Sequence, residues 1–153
     1  IDFQESVQNV DISKFLIDTS KDKPEYLDGN NSKAVKKSSR ISKQVLVEAN
    51  YICAGDDGHT TFLTNKGVSY MEGHHLIPCT FSNANRFWNT RKRNIDCVEN
   101  IVCLCPTCHR KIHFGSSEEK KALIEKLYMK QIAKLSEVNL AISLSELYRL
   151  YGL

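Results

Sequence analysis

The sequence predicts an α+β fold: a small core of short strands and a helix stapled by a zinc knuckle, with helices on either side. Three observations carry that prediction. Gly55, Gly58, Gly67 and Gly73 punctuate short β-favouring runs in the middle of the chain. Three cysteines and two histidines crowd into the eleven residues from Cys103 to His113. After Gly115 the apolar residues recur with helical spacing.

With 153 residues and 41% hydrophobic content, the chain can bury one real core plus short terminal additions. It divides into an irregular opening segment, 1–37, a metal-bearing domain, 38–115, and a helical extension, 116–153. It contains no run of eighteen apolar residues and no basic, apolar and small-residue succession at its start. Neither a membrane partner nor a signal peptide is therefore expected, and the chain reads as intracellular and cytoplasmic. It opens on Ile1 rather than Met, as a processed chain or a fragment with a missing partner domain would. The net charge of +3 is too small to identify a nucleic-acid partner without local clustering.

The opening segment mixes apolar stretches such as ISKFLI with the turn signals Pro24, Gly29 and Asn31. From Ser38, SSRISKQVLVEAN offers a serine cap and sets Ile41, Val45 and Ala49 four apart on one helix face. TTFL and VSYM favour strands, and YMEGHHLI reads as a strand ending at Pro78 with its working end near His74 and His75. CTFSNANRFWNTRKRN then reads as a polar, basic loop dotted with aromatics. DCVENIVCLCPTC gives a short strand and knuckle, and HRKIHFG a short helix stopped by Gly115. The tail helix opens with Ser117 as cap and acidic residues in its first turn, and a last short helix, SLSELYRLYG, closes the chain.

Cys105 and Cys108 form a C-x-x-C knuckle that points two thiolates at one tetrahedral ion, and the remaining ligands must come from elsewhere in the fold. Cys53 and His59, in a Gly-rich loop, complete a closed Cys3His set suited to structural Zn2+, with Asp56 as the rival to His59. Such a site supplies folding energy on the order of 10 kcal/mol. Cys79, Cys97 and Cys103 read as buried small residues. His109 and His113, four apart on a helix, share a face and can grip one further ion. His74 and His75 are neighbours on a strand, so their side chains diverge; one should bind metal and the other should do something else.

Taken together, EGHHLIP, ENIV and LCPTCHRKIH resemble the HNH endonucleases, the ββα-metal nuclease superfamily, in a subtype whose zinc knuckle immediately precedes the metal-binding helix. The resemblance covers roughly 49–115 and rests on His75, Asn100 and His109, with eight residues between the last two. The sequence departs from the commoner pattern in having CAGD where a first C-x-x-C would stand. The resemblance implies that His75 is the general base, that Asn100 holds the loop and the orientation of His75, and that His74, His109 and His113 bind one catalytic divalent cation. Three imidazoles accept Mn2+, Co2+, Ni2+ or Zn2+ readily, and Mg2+ with most of its waters retained also suits.

The basic residues Arg86, Arg91, Lys92, Arg93, Arg110 and Lys111 near these motifs match a phosphate backbone, with Phe87 and Trp88 read as core or as base-packing rings. The function expected is hydrolysis of DNA phosphodiester bonds in restriction or host defence, with RNA not separable as substrate. A homodimer would suit the cutting of two strands. The alternative is a zinc-stabilised nucleic-acid-binding module that does not cleave.

Overall fold

The computed structural model of the protein describes residues 2–12, 17–29 and 31–153. The apolar stretch ISKFLI at 12–17 falls largely outside the described residues. At the centre, strand β3 (Glu72–His75) pairs antiparallel with β4 (Ile101–Leu104), placing Gly73 opposite Cys103, His74 opposite Val102 and His75 opposite Ile101. Both β4 faces are buried, which fits its unbroken apolar run IVCL. Helix α4 (Pro106–Phe114) follows β4 directly and packs back on both strands, making a ββα unit.

The second face of this ribbon is covered by α2 (Ser39–Glu48), whose Ile41 and Leu46 are buried. A Cβ added at Gly73 would lie 3.0 Å from the Ser42 side chain, so a small residue is what lets α2 and β3 approach. The predicted helix from Ser38 forms, but Ser38 does not cap it with its hydroxyl; its main-chain N–H instead donates to Asp96 Oδ2 at 2.8 Å.

The opening segment is less irregular than its composition implies. It carries α1 (Phe3–Asn9), capped by Asp2 and packed on α2 and β3, and a hairpin of β1 (Tyr26–Asp28) with β2 (Lys33–Val35). Conversely, TTFL and VSYM make only an isolated bridge between Leu63 and Ser69, with Phe62 and Leu63 exposed. β-Propensity without a buried face to pack against does not suffice for a strand.

The expected basic loop is a helix, α3 (Phe81–Arg91). Its start is fixed by Thr80, whose hydroxyl accepts from the Asn83 N–H, and its end by Lys92 in the left-handed conformation. Ala84 and Phe87, three apart, are buried on its inner face with Phe81 and Trp88 half-buried, a short stripe broken up by polar residues.

α5 (Ser117–Glu137) buries Ile124, Leu127, Gln131 and Leu135 as the spacing predicts, though Ser116 rather than Ser117 is the cap. α6 (Leu144–Leu150) packs on α5 and brings the chain end back towards the ββα unit. No helix among the described residues is long and apolar enough to cross a membrane.

Candidate functional site

Two clusters of metal-ligating atoms sit at opposite ends of α4. At its N-terminus, Cys53, His59, Cys105 and Cys108 bring one ligand atom each to within 4.8 Å of one another. Cys105 is the helix cap: its Sγ accepts from the Cys108 N–H at 3.4 Å, while its own N–H donates to Cys53 Sγ at 3.3 Å. His59 Nδ1 lies 3.3 Å from Cys108 Sγ and 3.7 Å from Cys105 Sγ.

The rival Asp56 turns its carboxylate onto the Gly58 N–H at 2.8 Å, whereas His59 lies in one cluster with the three sulfurs. Although burial works against the thiolate, main-chain N–H donors of Cys105, Asp56 and Gly55 and the His59 ring bring the Cys53 thiol down to about 7. Burial, then the neighbouring sulfurs, push Cys108 up to about 12. Three buried sulfurs crowded at a helix N-terminus fit a divalent cation, which would discharge their mutual repulsion. A Cβ at Gly55 would meet Cys108 Sγ at 2.8 Å, so the loop closes over the sulfurs only with glycine there. These four residues could therefore hold zinc. The other cysteines are unpaired, with Cys97 and Cys103 buried and Cys79 partly so.

At the other end of α4, His74, His109 and His113 each offer a nitrogen within 4.8 Å of the others. Strand alternation separates the adjacent histidines as expected: His74 faces α4, with ring centroids 5.2 Å from His109 and 5.6 Å from His113, whereas His75 faces Asp96. The His109 and His113 Nε2 atoms face each other at 3.3 Å. His109 Nδ1 donates to Glu72 Oε1 at 2.9 Å, and Glu72 also accepts from the Tyr70 hydroxyl at 2.6 Å. A carboxylate behind an imidazole fixes its tautomer and leaves the far nitrogen free to ligate. Burial, reinforced by the neighbouring imidazoles, holds His74 well below the ordinary imidazole range, and burial lowers His113 as well. Imidazole nitrogens gathered this closely suit a cation, and His113 stands in the last turn of α4, where the helix dipole favours positive charge.

His75 is buried, and its Nε2 lies 2.8 Å from Asp96 Oδ1. The Asp96 carboxylate also accepts from Ser38, so the His75 Nε2 is the donor and its Nδ1 keeps a lone pair. Asp96 is held in turn by its N–H to Asn94 Oδ1 at 2.8 Å. Asn100 is fully buried and acts on the main chain: its Oδ1 accepts from the Ile77 N–H, and its Nδ2 donates to the Ile77 and Ile95 carbonyls. These bonds span the loop after β3, while the ring of His75 takes its partner from Asp96 rather than from Asn100. The Tyr151 hydroxyl lies 2.8 Å from His74 Nε2, and burial pushes its phenol far above the ordinary range.

His74, His75, His109 and His113 open on one cleft of about 460 Å³ that Lys37 and Tyr151 also line. None of the six basic residues singled out in the sequence lines it. Arg86 is bonded to Glu146, and Arg91 donates to the main-chain oxygens of Ala141 and Asn139, so both tie α3 to the C-terminal region. Sequence reasoning missed Lys37, Glu72, Asp96 and Tyr151. Only Glu72, inside EGHH, carried a local signal.

Residues 45–115 match the family model described as HNH endonuclease. Over 89 residues the chain is 34% identical to the type IV methyl-directed restriction enzyme EcoKMcrA of Escherichia coli. That similarity covers 58% of this chain and 27% of the relative, so the chain spans about a quarter of the protein it matches.

Proposed function

We propose that this protein is a metal-dependent endonuclease that hydrolyses DNA phosphodiester bonds, with His75 as general base and one divalent cation held by His74, His109 and His113. The carrying observation is that His75, paired with the buried Asp96, lines the same cleft as the three-imidazole cluster. Asp96 accepts the His75 Nε2–H and directs the Nδ1 lone pair to receive a proton from attacking water. Imidazole, with an ordinary pKa of about 6.5, suits that transfer near neutral pH. A divalent cation at the cluster supplies positive charge to phosphate oxygens on which negative charge develops. Glu72 orients His109, and Asn100 fixes the loop that follows His75.

Cys53, His59, Cys105 and Cys108 hold Zn2+ in a closed, structural role. Mg2+, Mn2+, Ni2+, Co2+ and Zn2+ are all compatible with the catalytic cluster, the later transition metals binding imidazole more tightly. Lys37, at the mouth of the cleft, and Lys92, Arg93, Arg110 and Lys111 contact phosphates of the substrate. Likeness to a restriction enzyme supports a role in restriction or host defence.

Plasmid nicking in Mn2+ or Mg2+ tests the reading. The wild type is expected to nick, and His75→Ala to lose roughly 10²–10⁴-fold in rate, the usual contribution of a positioned base. If neither cuts, the nuclease reading fails; if both cut equally, His75 is not the base.

A further inference from the structure

Tyr151 lies 77 residues beyond His74, in a part of the chain that the HNH match does not reach. Its hydroxyl is 2.6 Å from the Leu76 carbonyl oxygen and 2.8 Å from His74 Nε2. The protons at this junction can be counted. A carbonyl only accepts, so the single phenolic proton is donated to Leu76. The phenol oxygen must then accept from His74, which places a proton on Nε2. A neutral imidazole has one N–H, so the lone pair of His74 resides on Nδ1.

We propose that Tyr151 is a positioning residue for the metal centre: it locks His74 in the Nε2–H form, so that Nδ1 is the atom offered to the divalent cation alongside Nε2 of His109 and His113. The inference rests on reading the three imidazoles as a cation site. His109 is locked in the opposite sense, through Nδ1–H donated to Glu72, so two neighbouring ligands are fixed in different tautomers by different partners. The chain end is therefore part of the centre.

Removing the hydroxyl would leave the His74 N–H without its partner in a site where the ring is only 5% exposed. The ring would then be free to place its proton on Nδ1, where it cannot ligate. Leu76 is two residues from His74, and Tyr151 also lies 3.5 Å from the His75 carbonyl, so the same hydroxyl anchors the strand end that bears both histidines.

The test uses the full chain, zinc-loaded, as wild type and Tyr151→Phe. Isothermal titration with Mn2+ or Ni2+ is expected to give 10–100-fold weaker binding in the variant, with zinc content unchanged by elemental analysis. Long-range ¹H–¹⁵N correlation spectra of the wild type, free of added ion, should show His74 protonated at Nε2. Unchanged affinity in a folded Tyr151→Phe, or a wild-type His74 protonated at Nδ1, overturns the proposal. Should the variant not fold, the wild-type spectrum decides alone. Wild type that binds neither ion, or binds equally well after His113→Ala, would instead bring down the three-imidazole reading and this inference with it.

Discussion

His75 and Asp96 are 21 residues apart in sequence and 2.8 Å apart in space, and the chemistry proposed here depends on that contact. Asp96→Asn keeps the shape but cannot hold the same tautomer firmly. We expect the rate of cleavage at saturating DNA to fall by on the order of 10–10³-fold, with KM and divalent-ion affinity nearly unchanged. A parallel rise in KM would mean that Asp96 shapes the substrate surface rather than the base.

At this scale the motif residues are legible in sequence. His74, His109 and His113 stand out through a strand histidine beside a four-residue helix spacing, and His75 through its adjacency to His74. Their supporting partners do not, since a hydrogen bond between distant segments leaves no local trace. Arg86 and Arg91 show the converse. Clustered charge looks like a nucleic-acid surface until the tertiary structure brings Glu146 and the Ala141 carbonyl to meet it.

Helix α4 begins inside the C-x-x-C knuckle, at Pro106, and Cys105 serves both as cap and as candidate ligand. Cys105→Ser retains an N-cap oxygen, worth about 1 kcal/mol to a helix, but removes one of three sulfurs. We expect the variant to lose its zinc and with it stability on the order of 10 kcal/mol, read as an unfolded circular dichroism spectrum at 25 °C. A native spectrum with full zinc content would remove Cys105 from the site. Gly55→Ala should weaken zinc retention against a chelator even though no ligand changes, because the added carbon collides with Cys108 Sγ; retention equal to wild type would show that the loop gives way freely.

Elements differ sharply in how far sequence betrays them. α5 announces itself through its acidic first turn and long apolar stripe. α3 is hidden because its few apolar residues, Phe81, Ala84, Phe87 and Trp88, are set among asparagines and arginines that read as a loop. The β1–β2 hairpin is invisible for a related reason: of its six residues only Val35 is buried.

For the molecule as a whole, the imidazole cluster predicts how stability follows pH. The folded state holds His74 and His113 below the ordinary 6.5, so under mild acid the unfolded chain takes up protons that the folded chain does not. Unfolding free energy should thus fall as pH drops from about 6.5, before most carboxylates titrate. Thermal melts of zinc-loaded protein without a second ion should show this decline, and His113→Asn should flatten it. Melting temperatures constant between pH 7 and 5.5 would show that neither imidazole is depressed in the folded protein.

The short rod of α4 joins the two clusters, thiolates at one end and imidazoles at the other, with no flexible segment between them. Occupancy at one end should therefore set avidity at the other. A chain stripped of its staple must spend part of any second-ion affinity on ordering the rod, whereas a stapled chain presents His109 and His113 already in place. Loading is expected to be sequential, the sulfur end first. By reciprocity, saturating the imidazole end should slow the escape of zinc to a competing chelator.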